Sequence, residues 1–245
     1  MVFWKVLIIL FNIFPNPFTR FVNIFVKKPN IKSSFYISSN KKKIPLKIFL
    51  SKNLNKTATL ILFPGATPMG ENHLMLNKFA KSIAYIGVNV FIPRIPDLKE
   101  VRINENCIDQ MIDAYNSIVN REDVDKKKII TIGISFAGSL WIKASTSKKI
   151  KIKPTIVISY GSYFDFTDTI KFIMTGQCSI DNKKYKIKPD HWGRIVFLYN
   201  YLDYYKYSGD NKKIKLFLKD RVLNDGSLSS EIISKFNYQD KLFIE

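Results

Sequence analysis

The sequence predicts an α/β protein: a mostly parallel sheet with helices on both faces, an N-terminal β-hairpin before it and a helical cap after it. Three observations carry this expectation. The runs TATLILF, VNVFIP and KIITIGI are short and continuously apolar, as strands buried on both faces must be, and PTIVISYGS reads as a fourth strand. Segments with apolar residues at helical spacing separate them. After Ser162 the alternation stops, and helical patterns follow one another to Glu245.

The elements follow in order. Val2 to Phe14 is apolar apart from Lys5 and Asn12, Pro15 and Pro17 interrupt it, and a second apolar stretch runs from Phe18 to Val26 around Arg20 and Asn23. No small-residue cleavage site follows, and the first run is shorter than the ~20 residues that span a bilayer. Residues 1–30 therefore read as a monotopic membrane-associating segment, with Phe3, Trp4, Phe18 and Phe21 at headgroup level and the cytoplasmic face preferred. A signal anchor, a signal peptide and a helix packed on the domain are the alternative readings of this stretch. Ser34–Ser38 and Ile44–Leu50 form a hairpin around the polar turn Asn40–Lys43.

From Thr57 the buried strands begin. TATLILF ends in PGATPMGEN, a loop full of breakers. Leu76, Phe79, Ala80, Ile83 and Ala84 mark a helix capped by Gly87. VNVFIP is the next strand and RIPDLKEVRINEN a loop. Ile108, Met111, Ile112, Tyr115, Ile118 and Val119 stripe a helix over Cys107–Asn120. KIITIGI leads into a helix that starts near Ser135 and carries Leu140, Ile142 and Ala144. Residues 31–165 thus form the α/β core, and residues 166–245 form helices with a polar loop at Gln177–Pro189. The first of these helices runs from about Asp165, an aromatic one starts at Asp190, and NKKIKLFLKDRVLND and SLSSEIISKFNYQDKLFIE supply two more.

The 245 residues carry a formal net charge of +19, with 46% hydrophobic and 14% aromatic residues, which excludes a disordered chain. The lysines fall in short runs beside apolar segments, where loops belong, and no nucleic-acid motif accompanies them; no nucleic-acid partner is expected. Cys107 and Cys178 match no metal spacing. His73 and His191 are the two histidines, too few for a histidine-built zinc site. No metal and no cofactor is expected.

The chemistry gathers at one strand-to-helix turn. Gly133-Ile134-Ser135-Phe136-Ala137 follows a strand and opens a helix. A serine there is forced into a strained conformation with its hydroxyl above the sheet. Small neighbours are needed where strand and helix approach closely, and the helix N-terminus offers the Phe136 amide to a developing oxyanion. Phe63-Pro64-Gly65-Ala66-Thr67 ends an earlier strand; Gly65 permits close backbone approach, and the Ala66 amide is a second oxyanion donor. A phosphate-binding reading fails, because neither G-x-G-x-x-G nor a P-loop lysine pattern is present. A helix-capping serine is the bland alternative.

On these residues the chain resembles the α/β-hydrolase superfamily, most nearly its dienelactone-hydrolase-like and serine-esterase branches. FPGATP stands in the place of the family's oxyanion loop and GISFAG in the place of its G-x-S-x-G elbow, over Ser34 to about Ser162. Pro64 stands where a histidine is common, and Ala137 where the elbow's last glycine is expected. The resemblance implies Ser135 as nucleophile, with the Phe136 and Ala66 amides as oxyanion hole.

A serine needs a base, and the base an orienting acid. In this superfamily the chain order is Ser, then Asp or Glu, then His. His191 is the only histidine after Ser135, and Asp165 and Asp168 precede it, so His191 as base and Asp168 as acid keep the order. PDHWGRIVFL also reads as the start of a helix, with His191 capping it or lining a pocket. His73 precedes the serine and reads as a helix start. The strands that carry acid and histidine in the family are not visible, and the expectation is that they belong to a C-terminal portion this chain lacks. The sequence thus points to a serine hydrolase of carboxylic esters or related acyl substrates, its pocket lined by Gly65 and Trp192 and its N-terminal segment on a membrane surface. The alternative is a catalytically incomplete hydrolase-like protein with a membrane-associated binding role.

Overall fold

All five residues of Thr59–Phe63 (β3) are buried, because this strand lies inside the sheet with a neighbour on each side. Its side chains alternate between two cores, as a period of two requires. Ile61 and Phe63 enter one cluster, and Leu60 and Leu62 the other. The computed structural model describes residues 2–14, 17, 19, 24, 26–52, 57–181, 183–189, 191–204 and 209–244. Two compact units divide the chain, Met1–Ser162 and Tyr163–Glu245.

In the first unit the sheet has the order β1-β2-β4-β3-β5-β6. β1 (Asn30–Ile37) and β2 (Lys43–Leu50) form the predicted hairpin, in register from Asn30↔Leu50 to Ile37↔Lys43. β2 joins the rest by antiparallel pairing with β4 (Asn89–Pro93). β4, β3, β5 (Ile129–Ile134) and β6 (Ile156–Tyr160) are parallel. Parallel neighbours require crossovers, and helices supply them. α2 (Leu74–Tyr85) connects β3 to β4 and puts Ala80 and Ala84 into the core of Phe49, Leu60, Leu62, Val90 and Ile92. α4 (Asn106–Val119) and α5 (Phe136–Ser145) cover the other core, with Met111, Tyr115, Ile118, Trp141 and Ala144.

α1 (Val2–Ile13) packs on α2 and buries none of its residues. Pro15 and, in the second apolar stretch, Phe18, Arg20, Phe21 and Asn23 lie outside the described residues, as does Asp190. Three segments differ from expectation. The loop after β4 holds a one-turn helix, α3 (Pro96–Lys99), started by Pro96. The loop at Gln177–Pro189 is partly an antiparallel hairpin, β7 (Gln177–Ile180) with β8 (Lys183–Lys186). Its strands are short, largely exposed and mostly polar, QCSI and KKYK, so they give no apolar signal. The last predicted helix is two, α9 (Ser229–Ser234) and α10 (Tyr238–Ile244), after α8 (Asn211–Leu223). The remaining helices of the second unit are α6 (Phe166–Thr175) and α7 (His191–Tyr201).

Trp141 ties α5 to the sheet. Its indole Nε1 donates to Thr131 Oγ1 at 2.8 Å, with both side chains buried, and its ring lies 4.4 Å from Phe63 and 5.1 Å from Tyr115 between centroids. A core indole of this kind combines area burial with a satisfied N–H. Trp141→Ala is expected to destabilise the fold by about 3–5 kcal/mol through the cavity it leaves, with the Thr131 hydroxyl keeping only its bond to Ile156 O at 3.2 Å. The midpoint of urea unfolding measures it; a loss below about 1 kcal/mol would mean that α5 is held by other contacts.

Burial also sets the alkaline limit of the fold. It pushes the Cys107 thiol from 9.0 up to about 11, and it raises Tyr36, Tyr85 and Tyr115. In the unfolded chain these groups lose their protons first. Above the unfolded thiol value the folded state holds the extra proton, so stability falls as pH rises toward the folded value. About 1 kcal/mol is expected to go between about pH 8 and about pH 10 from Cys107 alone, with the tyrosines adding to it. Urea midpoints at the two pH values read the slope; a flat profile would contradict it.

Candidate active site

The pair Phe63↔Gly133 brings the ends of β3 and β5 level. Pro64-Gly65 and Ile134-Ser135 therefore leave the sheet side by side, at the carboxyl edge where parallel sheets hold their ligands. The contact is close. A Cβ on Gly65 would stand 2.9 Å from the Ile134 carbonyl oxygen and 3.1 Å from Ser135 Cβ, so the loop can lie on the turn only as glycine. Gly65 thus makes room for the serine turn itself.

Ser135 connects strand to helix in one residue. Its N–H donates to Tyr160 O at 2.9 Å, still in ladder fashion toward β6. Its carbonyl accepts from the Gly138 N–H at 2.9 Å and from Ser162 Oγ at 2.7 Å. The residue between these ties has φ 53° and ψ −132°, a region left almost to glycine, at a cost of roughly 1–3 kcal/mol. Its side chain is exposed, and its hydroxyl makes no capping bond to α5 although it occupies the N-cap position. A capping role therefore does not explain the serine.

Two glycines let strand and helix touch. A Cβ on Gly133 would fall 2.6 Å from Gly138 Cα and 2.7 Å from the Ala137 carbonyl oxygen. A Cβ on Gly138 would fall 1.8 Å from Ser162 Oγ and 2.6 Å from Ser159 Oγ. Ala137, by contrast, is fully buried in the core beneath α5, so a methyl group is accommodated there. The tight position is Gly138, one residue beyond the place expected from the motif.

The Gly65 loop is fixed from its far side. Thr67 N–H donates to Leu98 O at 3.0 Å, and Lys99 Nζ to Pro68 O at 2.9 Å. Glu71, buried in a single 3₁₀ turn (Gly70–Asn72), takes a bidentate grip from Arg94, with Nε–Oε2 2.9 Å and Nη2–Oε1 2.5 Å. That grip raises the Arg94 pKa, the hydrogen bond to Glu71 outweighing desolvation. The Tyr36 hydroxyl donates to Arg94 O at 2.8 Å. Asp97, also buried, accepts from Arg102 Nη2 at 2.9 Å and Asn106 Nδ2 at 3.0 Å. Ala66 is half-buried against the core. Phe136 is the first residue of α5, at the positive end of the helix.

The titratable candidates fall in both units. His73 belongs to the first, where its Nδ1 accepts from Leu76 N–H at 3.5 Å as the cap of α2. Asp168 and His191 belong to the second. Asp168 stands in the first turn of α6, whose N-cap is Asp165, and lines a cleft of about 520 Å³ with Lys171, Phe172, Cys178, Lys184 and Tyr185. His191 opens α7, with Trp192 beside it, and both are exposed. On α7, Phe197 packs on Tyr201 at 5.0 Å, and Tyr201 on Phe166 at 6.3 Å. Among the described residues no three His, Cys, Asp or Glu side chains gather as a metal-binding group.

Sequence reasoning missed Gly138, Ser162 and the pairs Glu71–Arg94 and Asp97–Arg102. The signal for Ser162 was the small pair Gly161-Ser162 at the end of the strand PTIVISYGS. The charge pairs had none, because each joins residues far apart or inside a segment read as loop. Gly133→Ala is expected to cost about 3 kcal/mol, since backbone rather than a movable side chain blocks the methyl group. Urea unfolding measures it, and a loss below about 0.5 kcal/mol would show that strand and helix separate freely there.

No protein-family model matches the chain, and no curated protein matches it in sequence. Among solved structures it is similar to the α/β hydrolase GrgF from Penicillium sp. sh18, at 16% identity and TM-score 0.43 over 49% of this chain and 43% of that one. It is similar to a dienelactone hydrolase from Anabaena variabilis, at 11% identity and TM-score 0.46 over 56% and 65%. It is similar to DcsB, solved in complex with its substrate analogue, at 18% identity and TM-score 0.43 over 59% and 51%. The chain thus spans between 43% and 65% of the length of these structures.

Proposed function

We propose that the protein is a serine hydrolase of carboxylic esters or related acyl substrates, with Ser135 as nucleophile. One observation carries the reading: an exposed serine is held at φ 53° between strand and helix, does not cap the helix, and has the Gly65 loop pressed against it. Strain of this kind persists where surrounding structure over-determines it, and it clusters at reactive positions. In the first step Ser135 Oγ bonds to the acyl carbon while its proton passes to a base. The carbonyl electron pair moves onto oxygen, where the Phe136 and Ala66 N–H groups stabilise it. Collapse returns that pair, breaks the bond to the leaving alcohol and gives the alcohol the proton. Water repeats the sequence on the acyl-enzyme and frees the acid.

His191 is the base in this reading and Asp168 the acid that orients it, because they follow Ser135 in the chain order Ser, Asp, His. The second reading, a hydrolase-like binding protein without turnover, is favoured by His73, whose imidazole is engaged in capping α2. A fluorophosphonate probe separates the two. The expected result is labelling that disappears in Ser135→Ala and slows at least about a hundredfold in His191→Ala, the usual contribution of a general base. An unlabelled wild-type protein that still unfolds cooperatively would establish the binding reading. Labelling that survives Ser135→Ala would place the nucleophile elsewhere.

A further inference from the structure

α1 is apolar at every position except Lys5 and Asn12, yet it buries none of its residues. A helix apolar all round belongs in a core or in lipid. Its exposure is organised. Val2 and Trp4 of the first turn are exposed, and Phe3, Val6, Leu10 and Phe14 follow at i, i+3, i+7 and i+11, which places these four on one face. They are 68%, 46%, 46% and 65% exposed. Phe14 continues the helical turn, its N–H donating to Leu10 O at 2.8 Å. Of the half-buried residues, Ile8, Ile9, Phe11 and Asn12 lie off this stripe and Leu7 and Ile13 flank it, and Asn12 Nδ2 folds back onto Ile8 O at 2.8 Å. The helix on which α1 packs, α2, begins with two more exposed apolar residues, Leu74 and Met75.

Charge names the occupant. α1 and α2 carry Lys5, Lys78 and Lys81 and no carboxylate, in a chain of net charge +19. A second copy would bring like charge against like charge; an anionic bilayer brings the complement. Length decides how the helix sits. Its 12 residues reach about 18 Å, against a hydrocarbon core of about 30 Å, and no described helix is long and apolar enough to cross a membrane. We propose that α1 lies in the plane of an anionic membrane surface, with the Phe3–Val6–Leu10–Phe14 stripe among the acyl chains and Lys5 at the headgroups.

The test uses the full chain and sedimentation with vesicles of phosphatidylcholine containing phosphatidylserine, beside phosphatidylcholine alone. The protein is expected to pellet with the anionic vesicles, less so as salt rises, and the variant Phe3→Glu/Leu10→Glu to lose at least about tenfold in partitioning. Both residues are exposed, so the fold does not depend on them. A second measurement needs no charge insertion. Trp141 is fully buried, so in a Trp192→Phe chain the lipid-accessible tryptophan is Trp4. Its emission is expected to shift to the blue with vesicles and to be quenched by brominated acyl chains. Failure to pellet, pelleting unchanged in the double variant, or an unquenched Trp4 each overturns the proposal. A lipid-free dimer that Phe3→Glu/Leu10→Glu dissociates overturns it too, by assigning the stripe to a second copy.

Discussion

The contact between β5 and α5 at Gly133 and Gly138 is the constraint from which the site follows. With 2.6 Å between a would-be Cβ and the facing Cα, there is no space for a loop between strand and helix. The chain must reverse at a single residue, and only a left-handed φ achieves that. Ser135 inherits the strain, the exposure and the end of the helix from this one approach. Trp141 secures the same junction from below, pinned to Thr131 and stacked on Phe63, the last residue of the neighbouring strand. Strand register then does the rest, since Phe63↔Gly133 fixes which loop lies beside the turn.

A second layer of fixation comes from charge. The Gly65 loop could drift if it were held by its own backbone alone. Instead, the Glu71–Arg94 fork ties its far end to the end of β4, and the hydrogen bonds from Thr67 and Lys99 tie its middle to α3. Buried pairs of this kind add little net stability compared with apolar packing, but removing one partner strands a charge. Their effect here is positional: backbone amides aimed at a developing charge are useful only if they need not reorganise.

The strands and helices of the core were legible because each obeys one period. β3 to β5 are short apolar runs, and α2 and α4 show clean 3.6-residue stripes. The Ser135 turn was legible from small residues flanking a serine at a strand-to-helix boundary. What escaped notice has a common physical origin, namely dependence on partners distant in sequence. Gly138 is tight because of Ser159 and Ser162 on the next strand and its exit, a contact created by β5–β6 pairing. Glu71 is buried because Arg94 arrives from another strand end. The β7–β8 hairpin is held by backbone pairing between short, largely exposed, mostly polar strands, and hydropathy carries no trace of that.

The φ of Ser135 also says something about selection between stability and reactivity. Glycine would hold the same turn without strain, and neighbours at 133 and 138 show that this chain uses glycine there freely. A hydroxymethyl group stands instead on a residue whose backbone strains to carry it, at roughly 1–3 kcal/mol out of a total that for a typical domain is only about 5–15 kcal/mol. Glycine at position 135 would therefore relieve the turn of this strain and remove its hydroxyl in the same change, so stability and reactivity pull in opposite directions at one residue.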